Sequence, residues 1–195
     1  MKLAVFGATG GVGRQIVEQA LAAGDTVAAL VRDKSKLPFQ HAGLTVVEGN
    51  VLDAAAVERT LAGADAVLVS LGNTPDNPDM IVSQGTAVII AAMQAAGVRR
   101  LIVISSLGVG DSKDQVPFFF KALIATALRK AFEDKEAQEK LVRAGNLDWT
   151  IIRPGGLTDG PATGSYRAGL ERSIGGQVAR ADVAAFALSQ LTSDE

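Results

Sequence analysis

The chain begins Met1-Lys2-Leu3-Ala4-Val5-Phe6-Gly7-Ala8-Thr9-Gly10-Gly11-Val12-Gly13, and this stretch decides the fold. Leu3 to Phe6 is a short apolar run, as expected of a strand buried on both faces. It leads straight into glycines spaced G-x-x-G-x-x-G. Val12 to Ala23 then places Ile16, Val17, Ala20 and Leu21 on one helix face, and Gly24 closes the helix. In such a strand–turn–helix unit each glycine has a task. Gly7 permits the sharp exit from the strand. Gly10 lets backbone approach a pyrophosphate, and Gly13 lets the helix pack closely on the sheet. Backbone N–H groups at the helix start face an anion. The bland alternative is a plain glycine-rich turn.

Outward from this unit the pattern repeats. Thr26–Val31, Leu44–Val47, Ala66–Val69, Leu101–Ile104 and Trp149–Ile152 read as strands, and Ala54–Leu61, Met80–Ala96 and Ala131–Ala144 as helices. The alternation predicts an α/β protein: a Rossmann-type, doubly wound parallel sheet with strand order 3-2-1-4-5-6. The tail from Gly160 is less regular. It is expected to form a small C-terminal lobe and to end in a helix, Ala181–Leu191, that Asp182 can cap. Residues 1–195 read as one NAD(P)-binding domain.

Composition excludes several function classes. The 195 residues are 48% hydrophobic and 21% charged, which is a globular balance, and the net charge of −2 points to neither nucleic acid nor a membrane surface. There is no cysteine and one histidine, His41, so no metal site is expected. The N-terminus enters a strand without a signal-peptide pattern. No apolar run reaches the ~20 residues of a membrane span; Val116 to Leu128 is broken by Pro117, Lys121 and Thr126. The expectation is a cytoplasmic protein with a small-molecule substrate and no nucleic-acid or membrane partner, acting as a monomer or weak homo-oligomer.

Cofactor choice is read at the end of the second strand. A site for NAD places an acidic residue there for the ribose 2′-hydroxyl. Here the run is Val31-Arg32-Asp33-Lys34-Ser35-Lys36. A guanidinium can fork onto a phosphate and stack on adenine, which favours the 2′-phosphate of NADP(H). A solvated basic loop is the competing reading, and Asp33 leaves room for NAD. After the third strand, Asn50 in Gly49-Asn50-Val51-Leu52-Asp53 can reach the adenine amino group while Val51 packs on the ring. Asp53 can also be a helix N-cap. Leu71-Gly72-Asn73 follows the fourth strand, where the middle of the cofactor should lie.

These pieces, with Ser105-Ser106 and Leu147-Asp148-Trp149-Thr150-Ile151-Ile152-Arg153-Pro154-Gly155, resemble the atypical short-chain dehydrogenase/reductases with an NmrA-like NAD(P)-binding domain. The resemblance covers nearly the whole chain. Leu30 to Pro38 and Gly164-Ser165-Tyr166 are most similar to the biliverdin reductase B (flavin reductase) type. The resemblance implies NADPH-dependent reduction of a flat conjugated acceptor such as FMN, another flavin or a bilin. It implies that the loop with Thr9, Gly10, Gly11 and Val12, together with Arg32 and Lys36, holds the adenosine-phosphate end. It places Gly72, Ser105 and Ser106 near the nicotinamide, with Pro154, Gly155 and Gly156 on its other side.

The usual acid of short-chain dehydrogenases is a tyrosine four residues before a lysine. The only tyrosine is Tyr166, with no lysine four residues after it, and Ala131 stands four before Lys135. Carbonyl–alcohol chemistry by that route is therefore not expected. Ser106 is the catalytic candidate, as an orienting hydroxyl; its competing reading is a serine that satisfies the loop backbone. Lys135 is read either as a ribose contact or as a solvated helix lysine. Arg153 is read as a substrate contact or a structural ion pair. Phe118-Phe119-Phe120 is read as core or partner packing, or as an apolar wall for a ligand. Flavins and bilins need mainly stacking and orientation. Two alternatives stand beside a reductase: an NADP(H)-binding redox sensor or scaffold without turnover, and, ranked lower, a sugar-nucleotide epimerase or dehydratase.

Overall fold

The computed structural model describes residues 1–37, 39–74, 79–170 and 176–193. Six parallel strands form the main sheet: β1 (Lys2–Phe6), β2 (Thr26–Val31), β3 (Leu44–Glu48), β4 (Ala66–Val69), β5 (Arg100–Ile104) and β6 (Asp148–Ile152). Their order is β3-β2-β1-β4-β5-β6, as the alternation of elements predicts. β1 lies at the centre, with Leu3 opposite both Val27 and Ala66.

The period-2 geometry of β1 divides the core. Leu3 and Val5 face α1 (Gly11–Ala22) and α6 (Arg180–Ser189), where Ile16, Val17 and Ala20 meet Val183, Ala184 and Ala187. Ala4 and Phe6 face the other side, which α2 (Ala54–Leu61) and α3 (Ile81–Ala96) cover through Val57, Leu61, Val82 and Ile89. α5 (Arg129–Ala144) joins that layer through Val142. The tail helix is thus part of the main core. The lobe is a two-stranded parallel pair, β7 (Gly156–Thr158) with β8 (Gln177–Ala179). Strands of three residues carry too little pattern to be read from sequence.

Three details depart from the sequence reading. Asp182 does not cap α6, which begins two residues earlier and has Ala179 as N-cap. Its carboxylate instead accepts hydrogen bonds from the Thr163 N–H (2.8 Å), the Thr163 hydroxyl (2.7 Å) and the Gly164 N–H (3.0 Å). These bonds hold the carboxyl below its ordinary range. Phe118 to Ala125 forms a further helix, α4, that the aromatic run concealed. Phe118 and Phe119 are 86% and 75% exposed, so neither packs in the core, while Phe120 meets Phe132 edge to face at 6.3 Å.

Asp53 does cap α2, by accepting from the Ala55 N–H. α3 is capped from outside its own segment. The Asp134 carboxylate, fully buried on α5, accepts from the N–H groups of Val82 (3.0 Å) and Ser83 (2.8 Å) and from the Asn73 amide (3.0 Å). Burial alone would raise the carboxyl; the bonds from Ser83, Asn73 and Val82 outweigh it and hold it below its ordinary value.

Candidate active site

The carboxyl ends of the strands open onto one cleft with a cavity of about 650 Å³. In a doubly wound sheet this is where a ligand binds, across the point at which strand order reverses between β1 and β4. Gly7, Thr9, Gly10, Gly11 and Val12 form its floor at the start of α1.

The floor's geometry follows from its glycines. Gly7 has φ +88°, and a Cβ there would run into the carbonyl of Ser70. A Cβ on Gly13 would overlap the backbone of Gly7, so α1 can lie against the turn only with glycine at that position. Gly10 is different. Its φ is −75°, and a Cβ there would have only the Gly7 oxygen at 3.3 Å and the Ser70 oxygen at the edge of contact. The space in front of Gly10 is therefore cleft rather than protein. No side chain caps α1. Its first-turn N–H groups are left to meet an anion, as a dinucleotide phosphate would require.

At the end of the cleft beyond β2 and β3 the wall holds Leu30, Arg32, Gly49, Asn50 and Val51. Asp33 is committed elsewhere: its Oδ1 accepts from the N–H (2.9 Å) and hydroxyl (2.7 Å) of Ser35, and these bonds hold its carboxyl below the ordinary range. The Asn50 side-chain oxygen accepts from the Leu52 N–H, and Val51 leans on Gly85 of α3. Lys36 lies outside the cleft lining; its carbonyl accepts a long bond from Arg14 (3.4 Å).

Leu71, Gly72, Asn73 and Thr74 line the middle of the cleft. At the far end Ser105, Ser106, Pro154 and Gly155 come together. Backbone bonds continue past the strands and bring them there: Ser105 N–H donates to Ile152 O (2.7 Å), and Leu107 N–H to Pro154 O (2.9 Å). Gly156 lies outside the lining and opens β7. Gly13 is also outside it, consistent with its packing role.

The two serines differ. Ser105 is buried, and its hydroxyl donates to Glu139 Oε1 at 2.6 Å. Glu139 also accepts from Arg153, whose charge is shared with Asp111. The hydrogen bonding it donates to Glu139 is the main reason the Arg153 guanidinium is held even more firmly protonated than usual. Arg153 is thus a structural ion pair that fixes the loop after β5. Ser106 is half-buried in the cleft, and its hydroxyl donates to Leu107 O at 3.2 Å.

Lys135 reaches the cleft from α5 and donates from Nζ to Ile104 O at 3.1 Å. Burial pushes its ammonium down to about 8, against the opposing pull of Asp134 and Glu139. It is therefore neither a solvated helix lysine nor part of an ion pair within 4 Å among the described residues. Arg180, at the start of α6, lines the same cleft beside Gly11. Sequence reading gave it no role, because nothing local marks a residue so far along the chain as a neighbour of the first loop.

An open β1–α1 anion turn, a basic residue at the end of β2 and a cleft along the strand ends define a dinucleotide-binding Rossmann protein. The chain belongs to the NAD(P)H-binding family, whose profile matches residues 7–194. It is 34% identical, over 96% of its length, to a (4-alkanoyl-5-oxo-2,5-dihydrofuran-3-yl)methyl phosphate reductase of Streptomyces griseus, and it spans 62% of that relative. It is 30% identical to YwnB of Bacillus subtilis over 89% of this chain and 82% of that protein. Among solved structures, ChuY, an anaerobilin reductase of Escherichia coli O157:H7, superposes with a TM-score of 0.86 at 30% identity, covering 100% of this chain and 92% of that one.

Proposed function

We propose that the protein is an NADPH-dependent reductase of a flat conjugated acceptor, a flavin or a bilin. The observation that carries this reading is the composition of the cleft's far end. Ser106, Lys135, Pro154 and Gly155 meet there, with no tyrosine among the lining residues. When bound, the reduced nicotinamide supplies a hydride. Thr9, Gly10, Gly11 and Val12 would hold its diphosphate, and Arg32 its 2′-phosphate. Asn50 and Val51 would hold the adenine, with Leu71 and Gly72 beneath the middle of the molecule. Asp33, spent on its own turn, offers little to the 2′-hydroxyl of NAD.

The chain's own groups then have modest tasks. Ser106 presents a hydroxyl that can turn from Leu107 O to orient a reactant. Lys135 sets an ammonium beneath the end of β5, where it can stabilise negative charge spreading over an acceptor ring or release a proton. Pro154 and Gly155 form the opposite wall. This machinery suits an acceptor that delocalises charge and needs position above all. It serves poorly an acceptor that forms a localised alkoxide. The similarity to ChuY, a bilin-type reductase by name, supports the acceptor class.

NADPH oxidation with FMN, with biliverdin and with a simple ketone tests the reading. Turnover with a flavin or bilin and little with the ketone is the expected result. NADPH binding without oxidation in the presence of either ring would overturn it in favour of a redox sensor.

A further inference from the structure

Arg180 opens α6, far from the glycine loop in sequence, yet its side chain lies across the start of α1. An ideal Cβ on Gly11 would be 2.5 Å from Arg180 Cδ, 2.7 Å from Nε and 3.7 Å from Cζ, the three nearest atoms to that point. The arginine side chain thus lies against Gly11 in the first turn of α1, at the edge of the cleft it helps to line. Its partner is Asp159, at 2.7 Å, and Asp159 is 93% exposed. A pair this exposed is weak. The position of Arg180 is set by the packing of its stem on Gly11 and by α6, whose Val183, Ala184 and Ala187 are locked against α1.

We propose that Arg180 is the diphosphate-binding arginine of this site, the cation that closes the dinucleotide onto the glycine loop from the C-terminal segment. The glycine turn offers N–H donors from beneath but no charge, and a diphosphate carries two negative charges. A guanidinium provides forked donors that can engage oxygens on both phosphates. Arg32, at the other end of the cleft, faces only the 2′-phosphate in this scheme. Division of labour follows: Arg32 selects between NADP and NAD, whereas Arg180 holds both alike. Gly11 is glycine because the arginine stem crosses it. The inference depends on dinucleotide binding, a property of the family, and not on which acceptor is reduced.

Equilibrium binding of NADP⁺, NAD⁺ and 2′-AMP to the full chain separates these roles, since 2′-AMP has the adenosine and 2′-phosphate but no diphosphate. Arg180→Ala should weaken NADP⁺ and NAD⁺ by the same factor, about ten- to a hundredfold, and leave 2′-AMP unchanged. Arg32→Ala should weaken NADP⁺ and 2′-AMP and spare NAD⁺. Arg180→Lys should recover part of the loss, because it keeps the charge. Asp159→Asn is the control for a purely structural role, and it should not reproduce the loss. Unchanged dinucleotide affinity in Arg180→Ala, an equal loss of 2′-AMP, or an Asp159→Asn variant as weak as Arg180→Ala would each overturn the assignment.

Discussion

Gly10 and Gly13 stand three residues apart and should fail in different ways. A Cβ at Gly10 has one tight contact, the Gly7 oxygen at 3.3 Å, which a small shift relieves, and the φ of −75° suits any residue. Gly10→Val should therefore fold normally and lose dinucleotide binding, as read by thermal melting together with NADPH fluorescence. Gly13→Ala puts a methyl into the Gly7 backbone, so it should lose about 1–3 kcal/mol of stability. If Gly10→Val keeps tight binding, the phosphates lie elsewhere. Arg32 belongs to the same scale. A charge-assisted phosphate contact is worth roughly 1.5–3 kcal/mol, so Arg32→Ala should weaken NADPH by roughly ten- to a hundredfold and leave NADH nearly unchanged. Equal affinity of the unaltered protein for both cofactors would sink that role. That the glycine loop and Arg32 border the cleft was legible because their signals are local. Arg180 was not, since only the packing of α6 on α1 brings it to the loop. Lys135 was ambiguous for a related reason: its acidic neighbours in sequence suggest a solvated face, whereas the fold turns it under Ile104.

Among the elements, the four inner strands β1, β2, β4 and β5 were legible because each is a short, nearly unbroken apolar run, as burial on both faces demands, while the half-buried edge strands β3 and β6 keep enough of the pattern to be read. α4 was hidden by the opposite cause. Phe118 to Ala125 has no polar stripe to mark a helical period, and two of its phenylalanines point outward. The start of α3 shows a third case, in which the stabilising residue comes from another helix. Asp134 caps it from α5 and also holds Asn73 at the cleft. Asp134→Ala leaves two buried N–H groups without their anion and should cost roughly 2–4 kcal/mol. Dinucleotide affinity should fall as well, through the shift of Asn73 and Gly72. The pH dependence has a definite sign. The folded carboxyl is held below its ordinary value near 3.8, so the stabilisation is full above that pH and is lost as pH falls through the lower folded value. Denaturant midpoints measured from pH 6 down to 3 should drop for the native chain and drop less for Asp134→Ala. A parallel drop in both would show that the cap contributes nothing to acid sensitivity.

On the scale of the whole molecule, the sheet brings residues from β5, α5 and β6 to one end of a cleft whose other end is built by β1, β2 and β3. The glycine-loop end is lined by many residues and the β5–β6 end by few, an asymmetry that fits the proposed reaction, in which hydride transfer to a conjugated ring needs little acid. Lys135 makes the idea testable by pH. Its ammonium titrates near 8, well below an ordinary lysine, because burial disfavours the charge. Below that pH the site holds a cation at the end of β5; above it the cation is gone. If that charge stabilises the ring as hydride arrives, turnover with FMN or biliverdin should be highest below pH 8 and fall as pH rises through it. Lys135→Met should lower turnover and flatten this limb, while NADPH affinity at neutral pH changes far less. Ser106→Ala should lower turnover about tenfold, equivalent to ~1.4 kcal/mol of transition-state stabilisation, and should keep the pH limb, because the limb belongs to the lysine. A Lys135→Met enzyme with the native pH profile would remove the lysine from the chemistry and leave the acceptor to take its proton from water.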